Sequence, residues 1–178
     1  YRGEFDVPSK QFEKTVDTVL LACQDKTWND NSGFHWSLAR ISASNISTNT
    51  LTPYDSTNCH QYPDGYWAHY FDGIGDRYRY TVDSNLPSGT GQYTLEAWVF
   101  CNDQSSNTRV IVDTRNSSNA AGIYIACVNT EEYQMVEATT QRIQCYGRKN
   151  YVWQHICVQK GSDNIIRFFI DGNLADTY

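Results

Sequence analysis

The amino-acid sequence predicts an all-β fold. Val, Ile, Thr and aromatic residues, including 13 Tyr, 7 Phe and 5 Trp, greatly outnumber Leu, Ala and Met, and side chains of the first kind fit the pleated surface of a sheet. Several segments alternate apolar and polar residues with a period of two, and none has the pattern of a ten-residue helix. The 178 residues, of which 40% are hydrophobic and 19% charged, suit one sandwich-sized domain.

The first third of the chain carries few strand signals. Residues 1–15 mix charges, contain a proline and lack periodicity, so a linker or arm is expected there. Residues 16–23 (VDTVLLAC) are predicted to form a strand, and a weaker strand is predicted over 38–43. We therefore place a domain at 16–178, with residues 16–65 as its loop-rich opening segment.

Strand signals are dense over residues 66–178, as expected for a sandwich. Strands are predicted over residues 67–71, 77–82, 93–101, 108–113, 122–128, 133–138, 153–159 and 165–170. Asp171 and Gly172 follow the last of these, and this dipeptide tolerates the positive φ of a type I′ turn. Residues 173–178 are therefore expected to fold back as the second strand of a hairpin.

The chain carries 14 Lys and Arg against 20 Asp and Glu, a formal net charge of -6. This balance lacks the positive field that binding to a nucleic-acid backbone requires, so nucleic acid is not expected as a partner. No apolar run approaches the roughly 18 residues of a membrane-spanning helix, so no membrane insertion is expected. Because the sequence starts without Met or a signal peptide, we interpret it as part of a longer chain.

The six cysteines are scattered along the chain: Cys23, Cys59, Cys101, Cys127, Cys145 and Cys157. They form no Cys-x-x-Cys pair, which argues against a zinc site. Most of them lie in or at the ends of apolar strand patterns, where a thiol behaves as a small buried hydrophobe. Packed, reduced thiols are therefore favoured, and a disulfide framework of undetermined connectivity stays the alternative.

Four motifs occur in the order in which one family has them. They are FDGIGDRYRY at residues 71–80, GTGQYTLEAWVF at 89–100 and the two halves of YVWQHICVQKGSDNIIRFFIDG at 151–172. These resemble the motifs FDG-x-GDY, FT-I/L-E-x-W, W-H-x-x-x-x-R/K and l-x-x-F-x-D-G of the concanavalin A-like, laminin-G-like jelly roll. The resemblance implies a two-sheet antiparallel jelly-roll sandwich.

A second resemblance involves the beginning of the chain. TVLLACQDKTWNDNS at residues 18–32 is similar to the opening LLTCQ-x-x-x-F-x-DNS of tandem jelly-roll repeats in virion structural and tail-fibre-like proteins of marine cyanobacterial phages. YRGEFDVP at residues 1–8 is similar to the tail of such a repeat. The resemblance implies that the arm ends one repeat. Independently of the family, a sandwich that lacks an edge strand exposes unpaired backbone groups, so we expect the arm to pack on a neighbouring subunit or domain. The resemblance also implies a closing strand beyond residue 178, which this chain lacks or receives from a neighbouring segment.

Catalysis is one alternative, because β-glucanases share this fold. They resemble one another in a strand of the type E-x-D-x-x-E, whose carboxylates act as nucleophile and acid. No such triplet occurs here: Glu96 is alone on its strand, and Glu131 and Glu132 would point to opposite faces. His155 and Cys157 share a strand face, as a thiol nucleophile would require, but packing beside Trp153 is the favoured explanation. We therefore expect no enzyme.

Calcium is a possible cofactor, since many laminin-G-like and pentraxin domains carry it. The ion needs several oxygen ligands within one small cavity. Asp72 and Asp76 flank two glycines, and Asp113 ends a predicted strand. These three residues are the candidate metal ligands, and the alternative is that aspartates in a glycine-rich turn cap the backbone.

Glycan binding requires flat aromatic faces with amide and carboxylate groups beside them. Strand tryptophans are expected to pack in the interior, so we favour aromatic residues of loops. The candidate glycan-binding residues are Trp36, Tyr54, Tyr62, Asp64, Tyr66 and Tyr146. Among them Tyr62, Asp64 and Tyr66, in the segment HQYPDGYW, form the predicted exposed cluster, with plain loop packing as the alternative.

Together these observations favour a non-catalytic jelly-roll module of a larger virion or fibre protein, located in the virion or an extracellular appendage. Its expected partners are a cell-surface glycan and neighbouring repeats or subunits, since linked weak sites gain effective concentration. A secreted cellular lectin-like adhesin of the same fold is the first alternative, and a glycoside hydrolase is the second. Function depends on loops grafted on the scaffold, so the fold alone does not choose among them.

Overall fold

The computed structural model of the 178-residue chain describes residues 4–41, 47–49, 67–73, 75–81, 91–102, 107–116 and 121–178. The chain divides into two compact units. The smaller unit is Pro8–Asn85, and the larger one combines Tyr1–Val7 with Leu86–Tyr178. The predicted boundary between residues 15 and 16 concerns successive repeats, and it stays a prediction.

All regular secondary structure in the described ranges is β-strand, which confirms the predicted all-β class. The strands are β1 (Ser37–Ile41), β2 (Ser47–Asn49), β3 (Ala68–Tyr70), β4 (Arg77–Thr81), β5 (Tyr93–Phe100), β6 (Arg109–Asp113), β7 (Ile123–Val128), β8 (Glu132–Glu137), β9 (Thr140–Tyr146), β10 (Trp153–Lys160), β11 (Ile166–Ile170) and β12 (Asn173–Thr177). In the smaller unit β1 pairs with β4 and β2 with β3, both antiparallel.

The larger unit contains two four-stranded antiparallel sheets, in the orders β12-β11-β10-β5 and β6-β7-β8-β9. Alternate side chains of both sheets meet in one hydrophobic core, because successive residues of a strand point to opposite faces. The core includes Tyr93, Ile123, Ile125, Tyr133, Met135, Ile143, Ile156, Val158, Ile166 and Phe168. Two sheets packed over a shared core form the antiparallel sandwich that the sequence predicts.

The hairpin at the end of the chain forms as predicted. β11 pairs antiparallel with β12, and the two residues between them have the positive φ angles of a type I′ turn, 51° at Asp171 and 78° at Gly172. The other predicted strands are also present, with ends shifted by one or two residues. The short strand β2 was not predicted, and two further differences are given next.

Residues 16–23 do not form the predicted strand. Their backbone groups bond to side chains and to the backbone of nearby loops instead of to a neighbouring strand. The N–H of Leu21 donates to Asp30 Oδ1 at 2.9 Å, and the carbonyl of Val19 accepts from Trp36 Nε1 at 2.9 Å. The apolar pattern of this segment therefore reflects partial burial in a loop that Asp30 organises.

Strand β9 is the second difference, because the sequence analysis placed no strand over Thr140–Tyr146. Its inward residues Ile143 and Cys145 do alternate with polar ones, with 1% and 5% of their surface exposed. The β8–β9 turn contains Ala138, with φ of 54°, and it lacks the Gly or Asn that marks such a turn in a sequence. The residue types of this turn therefore do not indicate a turn, and the sequence analysis did not predict the strand that follows it.

The arm contacts the larger unit of its own chain. Glu4 forms an antiparallel bridge with Asn173, and the N–H of Phe5 donates to the carbonyl of Gly172 at 2.9 Å. The Phe5 ring meets the rings of His155 and Phe169 edge-on, at centroid distances of 5.7 and 5.2 Å. Within this chain residues 4–7 lie beside β12, where Phe5 finds an apolar site. The expected contact of the arm with a neighbouring subunit or domain stays a prediction.

A side chain at Gly172 is expected to displace the arm. A Cβ at this position would collide with the carbonyl oxygen of Phe5, and the φ of +78° disfavours any L-residue with a side chain. In G172A we expect faster amide hydrogen exchange at Phe5 and a free energy of unfolding lower by about 1–2 kcal/mol. The control G91A places its Cβ in open space and should match the wild type. Unchanged protection of Phe5 in G172A would contradict the observed docking.

Candidate functional site

A polar cleft lies between the β7–β8 turn and the β9–β10 loop of the larger unit. Thr130 and Glu131 line it on one side, and Arg148, Lys149 and Asn150 line it on the other. Its volume of about 440 Å³ falls within the range of small-ligand sites, roughly 300 to 1,000 Å³. The cleft is open to solvent and is not an enclosed cavity.

Backbone hydrogen bonds fix the two sides of the cleft relative to each other. The carbonyl of Glu131 accepts from the N–H groups of both Gly147 and Arg148, each at 3.0 Å. Gly147 has a φ of 124°, which glycine adopts readily and other residues rarely do. The β9–β10 loop can therefore turn back onto the β7–β8 turn immediately after β9 ends.

Arg148 connects the two sides through its side chain. Only 4% of its surface is exposed. Nη2 donates to Asn150 Oδ1 at 2.8 Å, and Nη1 donates to the carbonyl of Asn129. A buried guanidinium needs such acceptors because desolvation of an unbonded charge is costly. Arg148 thus has a structural role, while the exposed Lys149 is the cation that a ligand in the cleft can reach.

The buried side chain of Gln154 is hydrogen-bonded to the backbone of the β9–β10 loop. Its amide is 1% exposed, and its Oε1 accepts from the N–H of Lys149 at 2.6 Å and from the hydroxyl of Tyr133 at 3.1 Å. Its Nε2 donates to the carbonyl of Gly147 at 2.9 Å and to Asp171 Oδ2 at 3.3 Å. One buried side chain therefore connects the loop, both sheets and the β11–β12 turn.

Two exposed tyrosines flank the lining segment 148–150 along the chain. Tyr146, a predicted glycan-binding residue, is 74% exposed, and Tyr151 is 55% exposed. Tyr146 is the last residue of β9, not part of a loop. A hydrogen bond between its hydroxyl and Glu132 raises its pKa and restrains the ring. Both tyrosines adjoin the lining segment along the chain and are not among the residues that line the cleft. The sequence analysis missed Tyr151 because its exposure depends on the tertiary structure.

The remaining predicted glycan-binding residues lie elsewhere. Tyr54, Tyr62, Asp64 and Tyr66 fall outside the described residues. Trp36 belongs to the smaller unit, where its ring stacks on the exposed Phe34 at a centroid distance of 5.2 Å and an interplanar angle of 4°. Because its Nε1 also donates to a backbone carbonyl, Trp36 packs against its own loop and is half-buried.

The three predicted calcium ligands belong to different units of the chain. Asp113, in the larger unit, pairs with Arg115 through both carboxylate oxygens at 2.9 Å. Asp72 and Asp76 share one turn of the smaller unit, and the N–H of Asp72 donates to Asp76 Oδ2 at 3.4 Å. Burial, together with the neighbouring Asp72 carboxyl, raises the pKa of Asp76. In the ranges that the structure describes, no group of three or more His, Cys, Asp or Glu could hold a metal ion.

The residues of the catalytic alternative lie on the sheet face turned away from the sandwich core. Glu96 Oε2 is 3.3 Å from Nε2 of the fully buried His155, which also contacts Trp98 edge-on at 5.2 Å. Burial raises the pKa of Cys157 to about 12. At neutral pH this thiol is protonated, and a protonated thiol is a weak nucleophile.

A comparison of the sequence with known protein families agrees with this architecture. Residues 72–178, more than half of the chain, match the model of the Concanavalin A-like lectin/glucanases superfamily. The chain therefore belongs to this superfamily, which makes it a lectin-like or adhesion-type fold that also includes enzymes. No curated protein matches the chain. The described part of the chain contains no helix long and apolar enough to cross a membrane.

A solved structure described as the crystal structure of an HCR/D mutant has the same fold. It aligns with a TM-score of 0.65 at 12% sequence identity. The alignment covers 91% of this chain and 39% of the other, so the chain spans about two fifths of that protein. At this identity the similarity extends to the fold alone.

Replacing Gln154 by leucine is expected to loosen the cleft. The substitution leaves the buried hydroxyl of Tyr133 and the N–H of Lys149 without their acceptor, so we expect a loss of about 2–3 kcal/mol in the free energy of unfolding and faster amide exchange at Lys149. Urea unfolding and hydrogen exchange measure both. Q141L, on the exposed face of β9, is the control and should change stability by less than about 0.5 kcal/mol. Equal effects of the two variants would contradict the positioning role of Gln154.

A calcium ion held by Asp72 and Asp76 would relieve the repulsion between their carboxylates. We expect millimolar calcium chloride to raise the melting temperature of the wild type and to leave that of D76N unchanged, with magnesium chloride as the control salt. Differential scanning fluorimetry measures the shift. No calcium-specific shift in the wild type would exclude this pair as a calcium site.

Proposed function

We propose that this chain is a non-catalytic glycan-binding and adhesion module, and that the cleft between the β7–β8 turn and the β9–β10 loop is its binding site. The observation that carries the proposal is an open cleft lined by polar side chains, with two exposed tyrosines adjoining its lining segment 148–150 along the chain. Glu131, Lys149 and Asn150 offer hydrogen bonds to sugar hydroxyls. The rings of Tyr146 and Tyr151 offer faces to the C–H groups of a sugar.

The rigidity of the site supports this proposal. A binding site works best when its groups are held in place before the ligand arrives, because ordering them on binding costs free energy. The loop between β9 and β10 is bonded to Glu131 through its backbone and to Gln154 through a buried amide. Weak, geometry-dependent contacts to hydroxyl groups benefit most from such preorganisation.

The chemistry of the candidate catalytic residues favours binding over hydrolysis. A glycosidase needs two carboxyl groups on opposite sides of the scissile bond. Glu96 instead lies at 3.3 Å from the buried His155, and Glu132, 6% exposed, accepts from Asn129 and Gln144. The superfamily also includes glucanases, so a hydrolase is kept as an alternative for the test.

The setting we propose is a larger virion or fibre protein, in the virion or an extracellular appendage. This setting rests on the similarity of residues 1–8 and 18–32 to the tandem jelly-roll repeats of phage virion proteins. Repeated modules would raise the strength of a weak single site, because a second binding event on a linked module is intramolecular. A secreted cellular adhesin of the same fold is the second candidate setting.

Removing the Tyr146 ring is expected to weaken glycan binding about tenfold, equivalent to about 1.4 kcal/mol. A glycan array identifies the ligand, and titration of the wild type, Y146A and K149A with that glycan gives the dissociation constants. Y178A is the matched control, since Tyr178 is 57% exposed and packs on Arg142 away from the cleft. Its affinity should equal that of the wild type.

Two results would overturn the proposal. One is an array on which no glycan binds, or binding that Y146A and K149A leave intact. The other is release of reducing ends from an array-positive oligosaccharide by the wild type, which would make the chain a hydrolase. In that case E96Q, which keeps the shape of the carboxylate, would identify whether Glu96 takes part.

A further inference from the structure

The sulfur atoms of two cysteines meet between the two sheets of the larger unit. Cys101 Sγ lies 3.1 Å from Cys127 Sγ. Cys101 directly follows β5 of one sheet, and Cys127 belongs to β7 of the other. Both thiols are reduced in the structure. A disulfide bond is about 2.0 Å long, so each sulfur would need to move by only roughly half an ångström to form one.

The two cysteines support opposite sides of the cleft. The carbonyl of Cys101 accepts from the N–H of Tyr151 at 2.8 Å, and Cys101 forms a parallel bridge with Asn150. Cys127 lies two residues before Asn129, whose carbonyl accepts from the side chain of Arg148. A covalent bond between these cysteines would therefore join the strands that carry both sides of the cleft.

We propose that Cys101 and Cys127 form a reversible dithiol–disulfide site, oxidised by a low-molecular-weight disulfide such as glutathione disulfide, whose cross-link fixes the geometry of the cleft. This site is independent of whether the cleft binds a glycan. It selects one pairing from the many that six cysteines allow.

The exposure of the two thiols sets the order of the reaction. Cys127 is 2% exposed, and its hydrogen bond with Cys101 and its burial raise its pKa, against the opposing effect of the Arg148 guanidinium. Cys101 is only partly buried. Because the nucleophile is a thiolate with access to the oxidant, Cys101 reacts first.

The reaction is two successive thiol–disulfide exchanges. Cys101 loses its proton, and its thiolate attacks one sulfur of glutathione disulfide, which forms a mixed disulfide and releases one glutathione thiolate. Cys127 then loses its proton and attacks Cys101 Sγ, which releases the second glutathione. Two cysteine thiols are oxidised to one disulfide, one glutathione disulfide is reduced to two thiols, and both protons end on glutathione.

The other described cysteines provide internal controls. Burial raises the pKa of both Cys145 and Cys157 to about 12, so these thiols react slowly with the same oxidant. Trypsin cuts after Lys and Arg and would place each of the six cysteines on a separate peptide. Cys101 falls on residues 80–109 and Cys127 on residues 116–142, while Cys145 falls on 143–148 and Cys157 on 150–160.

The test equilibrates the full chain in buffers of increasing glutathione disulfide to glutathione ratio, followed by denaturation, alkylation of remaining thiols and tryptic mapping without reductant. We expect a linked pair of peptides 80–109 and 116–142, and alkylated peptides 143–148 and 150–160. The proposal is overturned if Cys101 and Cys127 stay alkylated at every ratio, or if either forms its bond with a different cysteine.

A second measurement tests the effect on the cleft. In the oxidised wild type we expect slower amide exchange at Glu131, Asn150 and Tyr151, and a melting temperature higher by on the order of 8 °C than in the reduced protein. C101S should lose both differences, and C157A should keep them. Because the mapping is made on the wild type, the proposal stays testable even if a variant folds poorly. A disulfide that forms without slowing exchange around the cleft would refute the structural half of the proposal.

Discussion

Strand β10 is buried on both of its faces, and the arrangement of the larger unit follows from this constraint. Ile156 and Val158 point into the sandwich core, while His155 and Cys157 point the opposite way and are buried as well. A central strand of this kind needs apolar cover on two sides. The second sheet covers one face, and the ring of Phe5 covers part of the other.

The same strand positions the candidate site. Gln154 lies near the start of β10, where the core ends and buried polar groups need partners. Its amide satisfies the β9–β10 loop and the hydroxyl of Tyr133 at once, and Asp171 accepts from the N–H of His155 at 2.9 Å. The hydrogen bonds that satisfy these buried polar groups at the end of the sandwich therefore also hold the cleft in place.

The predicted elements and the observed ones differ where side chains replace a strand partner or where a turn lacks its usual residues. Residues 16–23 have the composition of a strand, but Asp30, in a loop, accepts the N–H of Leu21. Ala138 adopts a positive φ in a tight turn, although alanine does not favour this conformation. In both cases a contact distant in sequence, or local strain supported by the sheet, outweighs the intrinsic preference of the segment.

The sequence by itself determined the all-β class, the sandwich, the β11–β12 hairpin and the family to which the chain belongs, because alternation and turn chemistry are local properties. It also indicated Tyr146. Only the tertiary structure brought the β7–β8 turn to the β9–β10 loop, set Cys101 beside Cys127 and placed the arm on β12. These contacts join residues far apart in sequence, and their pairing depends on which faces of the two sheets meet, which no local pattern encodes.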